Sequence, residues 1–290
     1  MPLGRIQITF AERVQKMITR VDQERWARAQ EFEKTFAADA MEHDGYWNDW
    51  WAAKFNHYEA IRGKSFENIL EVGCGPHTNL RFLLNKIEYD RIFLEDPLIH
   101  FYMTHPILEQ SAVMRAKRTL KRLQAVLRSR GVPLTVRAKR LTERLINKPA
   151  GEFNYTLRLF HEQAGKVDLS SSKLEALPYA DTSMDLVICV NVLDHVNDCD
   201  ACMEEMYRVL QVGGFLVLGQ DLTNDEDSEN CPESKTDIGH PIKIDHLYVA
   251  AALDRKYKAI FEKVLKRHEG RNPSAHYATY VGILQKLSTK

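Results

Sequence analysis

The segment from residue 69 to residue 78 has the residue types and spacing of a ligand-binding turn. It reads Ile-Leu-Glu-Val-Gly-Cys-Gly-Pro-His-Thr, an apolar run that contains an acid and then passes into a Gly-x-Gly turn. Glycines let the backbone approach a ligand closely, and the start of the helix expected after the turn favours negative groups. The segment lacks the third glycine of the G-x-G-x-x-G spacing found in dinucleotide sites, because Thr78 occupies that position. The segment therefore favours a nucleoside cofactor without a bridging pyrophosphate.

Three side chains elsewhere in the chain also have the chemistry of a site. Asp96 follows the β-rich run 91–95, and a carboxylate there can accept hydrogen bonds from two neighbouring hydroxyls. His195 lies just beyond the apolar run 185–190, and His240 lies in the sequence Gly-His-Pro. Because imidazole exchanges protons near neutral pH, both histidines are candidate general bases.

Short apolar runs alternate with helical patterns along most of the chain. Such alternation predicts an α/β fold with a Rossmann-like, doubly wound parallel sheet. We divide the chain into an N-terminal helical cap, 1–66, and a domain, 67–290, with a helical insert at about 97–165. The expected strands are 68–72, 91–95, 185–190, 215–218 and 277–284, and the expected helices are 10–37, 46–61, 79–86, 202–210 and 245–257.

The order of several motifs carries a resemblance to a known family. Leu70–Gly75 resembles the first motif of the class I S-adenosylmethionine-dependent methyltransferases, and the type 11-like members match it best. Leu177–Val187 is similar to the family's L-P-F-x-D-x-S-F-D-h-V signature, and Asn191–Val196 continues it. Glu204–Gly214 is similar to the E-x-x-R-V-L-x-P-G-G turn. The resemblance spans 67–221 and implies a methyltransferase that uses S-adenosyl-L-methionine.

The resemblance also implies roles for individual residues. Asp96 would bridge the two ribose hydroxyls, and the adenine contact would lie within 168–174, where Lys173 occupies the position at which the family usually has an acid. A valine at position 73 is expected to abolish cofactor binding and to leave most of the fold intact. The methionine end of the cofactor would be held by Glu71, Gly73, Cys74 and Gly75, and its other side would be lined by Asn191 and Leu193.

Composition limits the possible classes of protein. The 290 residues carry 40 basic and 40 acidic side chains, which argues against a protein that coats nucleic acid over its whole surface. The sequence lacks an apolar run long enough for a membrane span and a secretory signal, so we expect a cytoplasmic location. His195, Cys199 and Cys202 have zinc-like spacing but no matched fourth ligand; we therefore predict no metal site.

Residues 115–148 hold twelve Lys or Arg and one acid, Glu143. This basic insert predicts a wall for a small or glycan-like, anionic acceptor, and contact with an acidic membrane surface is compatible with it. An RNA methyltransferase is the alternative enzyme, although the tract has no aromatic residue for base stacking. A non-catalytic, cofactor-binding scaffold protein is the alternative from another class.

Overall fold

The computed structural model describes residues 17–41, 46–104, 153–224, 226–227 and 238–288. Three 3-10 turns, Asn56–Ile61, Asn79–Phe82 and Arg267–Glu269, accompany the helices and strands. The described helices are α1 (Gln23–Ala40), α2 (Tyr46–Lys54), α3 (Ile99–Thr104), α4 (Tyr155–Glu162), α5 (Cys199–Val209) and α6 (His246–Leu253). The described strands are β1 (Ser65–Val72), β2 (Glu88–Glu95), β3 (Val167–Ser170), β4 (Met184–Val190), β5 (Leu210–Leu222), β6 (Tyr257–Lys266) and β7 (Ala278–Lys286).

These seven strands form one sheet in the order β3-β2-β1-β4-β5-β7-β6. The first five run parallel, whereas β7 is antiparallel to both β5 and β6. The predicted Rossmann-like α/β class is confirmed, and the antiparallel β7 is the departure from a wholly parallel sheet. Strand order reverses between β1 and β4, and ligands of open α/β sheets bind outside the carboxyl ends of the strands at such a switch point.

Both faces of the sheet are covered. Because successive side chains of a strand point to opposite faces, Ile69 packs into one core cluster and Leu70 into the other. The first cluster includes Trp51 of α2 and residues of α3 and α4, and the second includes residues of α5 and α6. Burial on both faces explains why the central strand β4 reads as a continuous apolar run.

The first helix begins later than predicted. Ile18 and Val21, assigned to a helix over 10–37, lie before α1 in extended backbone: Ile18 bridges Lys243, and the Val21 amide donates to the Asn197 carbonyl over 2.9 Å. The Asp22 carboxylate accepts from the Arg25 amide over 2.7 Å at the start of α1. Ile18 and Val21 thus hold the segment before α1 in place, and their spacing happens to match that of a helix face. Phe10 and Val14 lie outside the described residues.

Other elements differ from the prediction in length or type. The helix expected over 79–86 is one 3-10 turn followed by turns, and the helix expected over 245–257 is the shorter α6. Strands β3 and β6 were missed: β3 has only four residues, and β6 is exposed along most of its length. Neither of these strands has the buried alternation that reveals a strand in sequence.

The basic insert, 115–148, lies outside the described residues, which omit 105–152. The ends of the larger helical insert, α3 and α4, meet: the Asn154 side-chain amide donates to the Tyr102 carbonyl over 3.0 Å. The helices expected between these two ends stay predictions. No helix in the described part of the chain is both long and apolar enough to cross a bilayer.

Candidate active site

A cavity opens at the carboxyl ends of β1, β2 and β4, beside the switch point of the sheet. Helix α1 and the start of α2 form its opposite wall. Among the residues sequence analysis singled out, Gly73, Cys74, Gly75, Asp96, Asn191 and His195 line this cavity. Those not among the lining residues are Glu71, Leu193 and His240.

The two glycines of the turn after β1 have different surroundings. Gly73 has a φ of +60°, and a Cβ placed there would lie 2.4 Å from a methyl carbon of Val192. Gly75 has a φ of +54°, but a Cβ placed there would meet nothing nearer than the His77 amide nitrogen at 4.0 Å. Gly73 is thus required by protein packing and backbone conformation, whereas Gly75 leaves open space beside the cavity.

Glu71 holds the turn from beneath. Its carboxylate is buried and accepts from the Asn79 backbone amide over 2.8 Å, from the Asn79 side chain over 3.1 Å and from the Thr78 hydroxyl. Burial raises the pKa of this carboxyl, and these hydrogen bonds oppose the rise. The structure therefore places Glu71 as a positioning residue for residues 73–79; direct contact with a cofactor stays a prediction.

Asp96 follows β2 and is buried against the same turn. One carboxylate oxygen accepts from the Gly75 amide over 2.9 Å, and the other accepts from the Leu98 amide over 2.8 Å. Burial raises the pKa of Asp96, while the two amides and the Tyr102 hydroxyl lower it. Each carboxylate oxygen has lone pairs beyond those used by the amides, so this acid retains capacity to accept ligand hydroxyls.

The turn after β4 forms the facing side of the cavity. Asn191 has a φ of +59°, and its side-chain oxygen accepts from Arg271 over 2.9 Å. Arg271 also donates to Asp221 over 3.0 Å and lines the cavity. Val192 lines the cavity as well, whereas Leu193 is fully buried in the core. Asn191 and Val192 thus border the cavity, and contact of Asn191 with a cofactor stays a prediction.

Ser172 and Leu174, from the segment expected to contact adenine, line the cavity beside Glu95. The Ser172 amide donates to Glu95 over 3.2 Å, and the Tyr179 hydroxyl donates to the same carboxylate. Asp168 of the same segment forms an exposed ion pair with Arg91 at 2.6 Å instead. Glu95 is thus a cavity acid that sequence reasoning missed, although it directly precedes Asp96.

His195 lies between two carboxylates at the cavity wall. Its Nδ1 lies 2.8 Å from the Gly239 carbonyl oxygen and 3.5 Å from a Glu33 oxygen, and its Nε2 lies 3.6 Å from an Asp194 oxygen. Burial lowers the pKa of His195, but Asp194, Glu33 and the Gly239 carbonyl outweigh burial and raise it. The ring centroid of His240 is 4.6 Å away. Both predicted bases are therefore brought together, with only His195 on the cavity.

Helix α1 supplies a cavity wall that sequence analysis assigned to a separate cap. Trp26, Glu33 and Phe36 line the cavity from this helix, and Lys173 places its ammonium 3.9 Å from the centre of the Trp26 ring. Burial raises the pKa of Glu33. The cap therefore contributes to the wall of the cavity. The sequence predicted that this segment is helical, but a helical pattern does not show which surface the helix packs against.

The zinc-like trio suggested by spacing does not come together. Cys199 and Cys202 are fully buried in the core of α5, and burial raises the pKa of both thiols. His195 groups instead with Asp194 and His240, whose potential ligand atoms all lie within 4.8 Å of one another. Asp194 was not singled out from sequence, since its acid follows an apolar run without any distinguishing spacing.

One family model matches the chain, and its description is "Methyltransferase domain"; the match covers residues 151–218. Among curated proteins, the ubiquinone/menaquinone biosynthesis C-methyltransferase UbiE of Stenotrophomonas maltophilia (strain K279a) is 50% identical over 48 residues, 17% of this chain and 19% of that protein. The chain thus matches about a fifth of the length of this relative.

Solved methyltransferases share the fold over nearly the whole chain. A Burkholderia thailandensis 1,6-didemethyltoxoflavin-N1-methyltransferase, with bound 1,6-didemethyltoxoflavin and S-adenosylhomocysteine, has a TM-score of 0.51 and 11% identity, covering 93% of this chain and 95% of its own. N-methyltransferase NodS from Bradyrhizobium japonicum WM9, in complex with S-adenosylhomocysteine, has a TM-score of 0.50 and 13% identity, covering 90% and 99%. The resemblance to class I methyltransferases is confirmed: the chain has their Rossmann-like fold and carries a methyltransferase-domain segment.

Proposed function

We propose that this chain, which has the fold of class I methyltransferases and a segment that matches their domain, transfers a methyl group from S-adenosylmethionine to a small-molecule acceptor. One observation carries the proposal: a glycine turn and a buried acid border a single cavity at the switch point of the sheet. The cofactor supplies a methyl group already activated on sulfur, so the chain's own task is to bind, orient and deprotonate.

The residues at the cavity fit this cofactor. Open space at Gly75 allows close approach of a ligand to the backbone, and Asp96 would accept the ribose hydroxyls. Gly73 and Cys74 would lie along the methionine end, and Asn191 would lie on the other side. Adenine would lie beside Ser172 and Leu174, which line the same cavity as residues 72–75, 95–98 and 190–192. S-Adenosylhomocysteine in both structural relatives supports this choice of cofactor.

His195 is our candidate for the group that removes the acceptor's proton. It borders the cavity, and the neighbouring Asp194 and Glu33 raise its pKa against the effect of burial. Those carboxylates also stabilise the imidazolium that forms on protonation. The ring centroid of His240 lies 4.6 Å from that of His195. Because His240 is not among the described residues that line the cavity, we assign it a positioning role.

The acceptor that the described walls suit best has a flat apolar body and a proton to lose. Trp26, Phe36 and Trp51 offer aromatic surface to the cavity, and aromatic side chains favour stacking and burial of such a body. The charges of the described wall are the acids Glu33, Glu95, Asp96 and Glu175 and the cation Arg271, which is paired with Asp221. An anionic or glycan-like acceptor therefore depends on the basic insert, which lies outside the described residues.

Transfer of label from the cofactor tests the proposed function. The purified chain is incubated with S-adenosylmethionine labelled in its methyl group and with cellular extract separated into small-molecule, RNA and protein fractions. We expect label in the small-molecule fraction, and we expect Asp96→Ala to remove it. Label confined to RNA would favour the alternative enzyme. Binding of the cofactor without transfer to any fraction would favour the scaffold.

A further inference from the structure

Asp194 has a buried carboxylate without a hydrogen bond of ordinary length. The residue is 4% exposed, and neither of its side-chain oxygens has a partner within hydrogen-bonding distance among the described residues. The neighbouring Gln220 amide, which lowers the pKa of Asp194, already donates to the Asp221 carbonyl over 3.1 Å. A buried charge left in this state is costly, so such groups are normally paired or coordinate a metal ion. The nearest cationic candidates are the two ring nitrogens that face it, Nε2 of His195 at 3.6 Å and Nε2 of His240 at 3.8 Å.

The tautomer of His195 follows from its other nitrogen. A carbonyl oxygen only accepts hydrogen bonds, so Nδ1, which lies 2.8 Å from the Gly239 oxygen, carries a hydrogen. In the neutral ring, Nε2 then presents a lone pair to the Asp194 carboxylate. This is the arrangement of a metal-binding histidine, whose second nitrogen donates to a carbonyl or carboxylate that fixes the ring.

A proton alone does not satisfy this group of side chains. The 3.6 Å and 3.8 Å separations exceed the roughly 2.7–3.2 Å of an N–H···O hydrogen bond. A proton on one histidine also serves only one of the two carboxylate oxygens. A cation located between the three groups contacts all of them at once.

We propose that Asp194, His195 and His240 bind a divalent transition-metal ion of the zinc or cobalt type. Bond lengths of about 2.0–2.2 Å at a tetrahedral angle place two ligand atoms roughly 3.3 Å apart. The distances of 3.6 Å and 3.8 Å run to the two different carboxylate oxygens, Oδ1 and Oδ2, and exceed that value by a few tenths of an ångström. One potential ligand atom from each residue lies within 4.8 Å of the other two. A donor set of two imidazoles and one carboxylate favours such ions over calcium or magnesium, which take mainly oxygen ligands.

This metal site departs from the expectation that the chain binds no metal, and it goes beyond the proposed methyl transfer. Three protein ligands leave a coordination position open for water or another oxygen ligand, as in catalytic zinc sites. His195 also borders the cavity, so the ion lies next to its wall. With the ion bound, His195 is a ligand, and the role of base assigned to it above belongs to the metal-free protein.

Metal titration of the full chain tests the site without any assay of methyl transfer. The protein is stripped of metal with a chelator and titrated with Co²⁺, whose visible absorption reports the ligand set; Zn²⁺ is then used to displace it. We expect one Co²⁺ per chain, with no thiolate charge-transfer band in the near ultraviolet. Asp194→Asn should weaken binding by at least about 100-fold, while His268→Ala, at an exposed histidine, should bind as the wild type does.

Nitrogen NMR of the wild-type protein keeps the test independent of variant stability. We expect Zn²⁺ to shift the Nε2 resonances of two histidine rings. Absence of stoichiometric binding, thiolate absorption on Co²⁺ binding, or equal affinity in wild type and folded Asp194→Asn would each overturn the proposal. Because S-adenosylhomocysteine binding is measured separately, failure of the metal site and failure of the proposed function are distinguishable.

Discussion

At the scale of single residues, Asp96 is the side chain on which cofactor binding depends most. Asp96→Ala removes a carboxylate that accepts from the Gly75 and Leu98 amides and that we expect to accept ribose hydroxyls. Loss of charge-assisted hydrogen bonds should weaken S-adenosylhomocysteine binding by about 1.5–3 kcal/mol, which is roughly 10- to 150-fold. Calorimetric titration measures the change. Exposed Asp90→Ala is the matched control, and an unchanged affinity in folded Asp96→Ala would remove this acid from the site.

The two glycines of the turn give a paired test. Gly73→Val, expected from sequence to spare the fold, would instead drive its Cβ to 2.4 Å from Val192, so we predict a loss of stability as well as of binding. Gly75→Ala meets no such contact and should cost about 1–2 kcal/mol of backbone strain while weakening S-adenosylhomocysteine at least about tenfold. Denaturant unfolding and calorimetry separate the two effects. Equal affinity in wild type and Gly75→Ala would show that the open space there is not used.

His195 provides the third prediction at this scale. Replacement by Gln preserves a polar side chain of similar reach but removes the basic nitrogen. In the metal-free protein we expect kcat for methyl transfer to fall roughly 100-fold or more, with S-adenosylhomocysteine affinity unchanged within about twofold. The expectation follows from the position of His195 at the cavity wall between Asp194 and Glu33. A full kcat in His195→Gln would exclude this ring from the proton transfer.

The residues of the site were predictable in proportion to the specificity of their motif. Asp96 and Gly75, which line the cavity, could be singled out because the order strand, glycine turn, strand is distinctive in sequence. Val192 borders the cavity and Leu193 is buried in the core, so the contact expected of Leu193 with the cofactor stays a prediction. Glu95 and Arg271 were missed because single charged residues carry no spacing signal.

At the scale of elements, the glycine turn depends on the acid at the end of β1. Glu71→Ala removes the acceptor of the Asn79 amide and of the Thr78 hydroxyl, which leaves buried donors without partners. We expect the free energy of unfolding to fall by about 2 kcal/mol or more. Glu71→Gln is the matched variant, because its amide oxygen can still accept from Asn79; it should lose less. Both free energies are measured by urea denaturation.

A direct role of Glu71 at the cofactor predicts a different outcome. If this carboxylate binds the ligand itself, Glu71→Gln should lose most of its S-adenosylhomocysteine affinity while unfolding as the wild type does. If Glu71 acts by positioning residues 73–79, affinity and stability should fall together across Glu71→Gln and Glu71→Ala. The hydrogen bonds from Thr78 and Asn79 lead us to expect the second pattern.

Element prediction succeeded where burial imposes a pattern. β4 is buried along most of its length and reads as a continuous apolar run, and β1 is buried over its second half, whereas β6 is largely exposed and has no such pattern. The start of α1 was placed too early because Ile18 and Val21 serve a bridge and a backbone hydrogen bond rather than a helix face. Tertiary contacts of this kind have no local signature, so sequence reasoning could not separate them from a helical period.

At the scale of the whole molecule, the basic insert distinguishes a small-molecule enzyme from an RNA enzyme. RNA binding through the insert would fall steeply with salt, with a log-log slope of roughly −0.7 for each phosphate contacted on a single strand. We expect little RNA affinity at physiological salt, since the chain outside 115–148 has 39 acids against 28 bases.

Charge reversal within the insert provides the contrast. Filter binding with total cellular RNA across a salt series compares the wild type with a variant carrying Glu at five basic positions, all outside the described residues: Arg118, Lys121, Arg122, Arg137 and Arg140. S-Adenosylhomocysteine affinity serves as the control for folding. Tight RNA binding that disappears in the variant would promote the RNA methyltransferase over the small-molecule enzyme.

The central claim is that the cavity beside the switch point of the sheet binds S-adenosylmethionine. Calorimetric titration of the full chain with S-adenosylhomocysteine tests this claim most directly. We expect one ligand per chain, bound more tightly than NAD, because the glycine turn lacks the third glycine of a pyrophosphate site. The absence of saturable S-adenosylhomocysteine binding, or tighter binding of NAD at the same cavity, would contradict it.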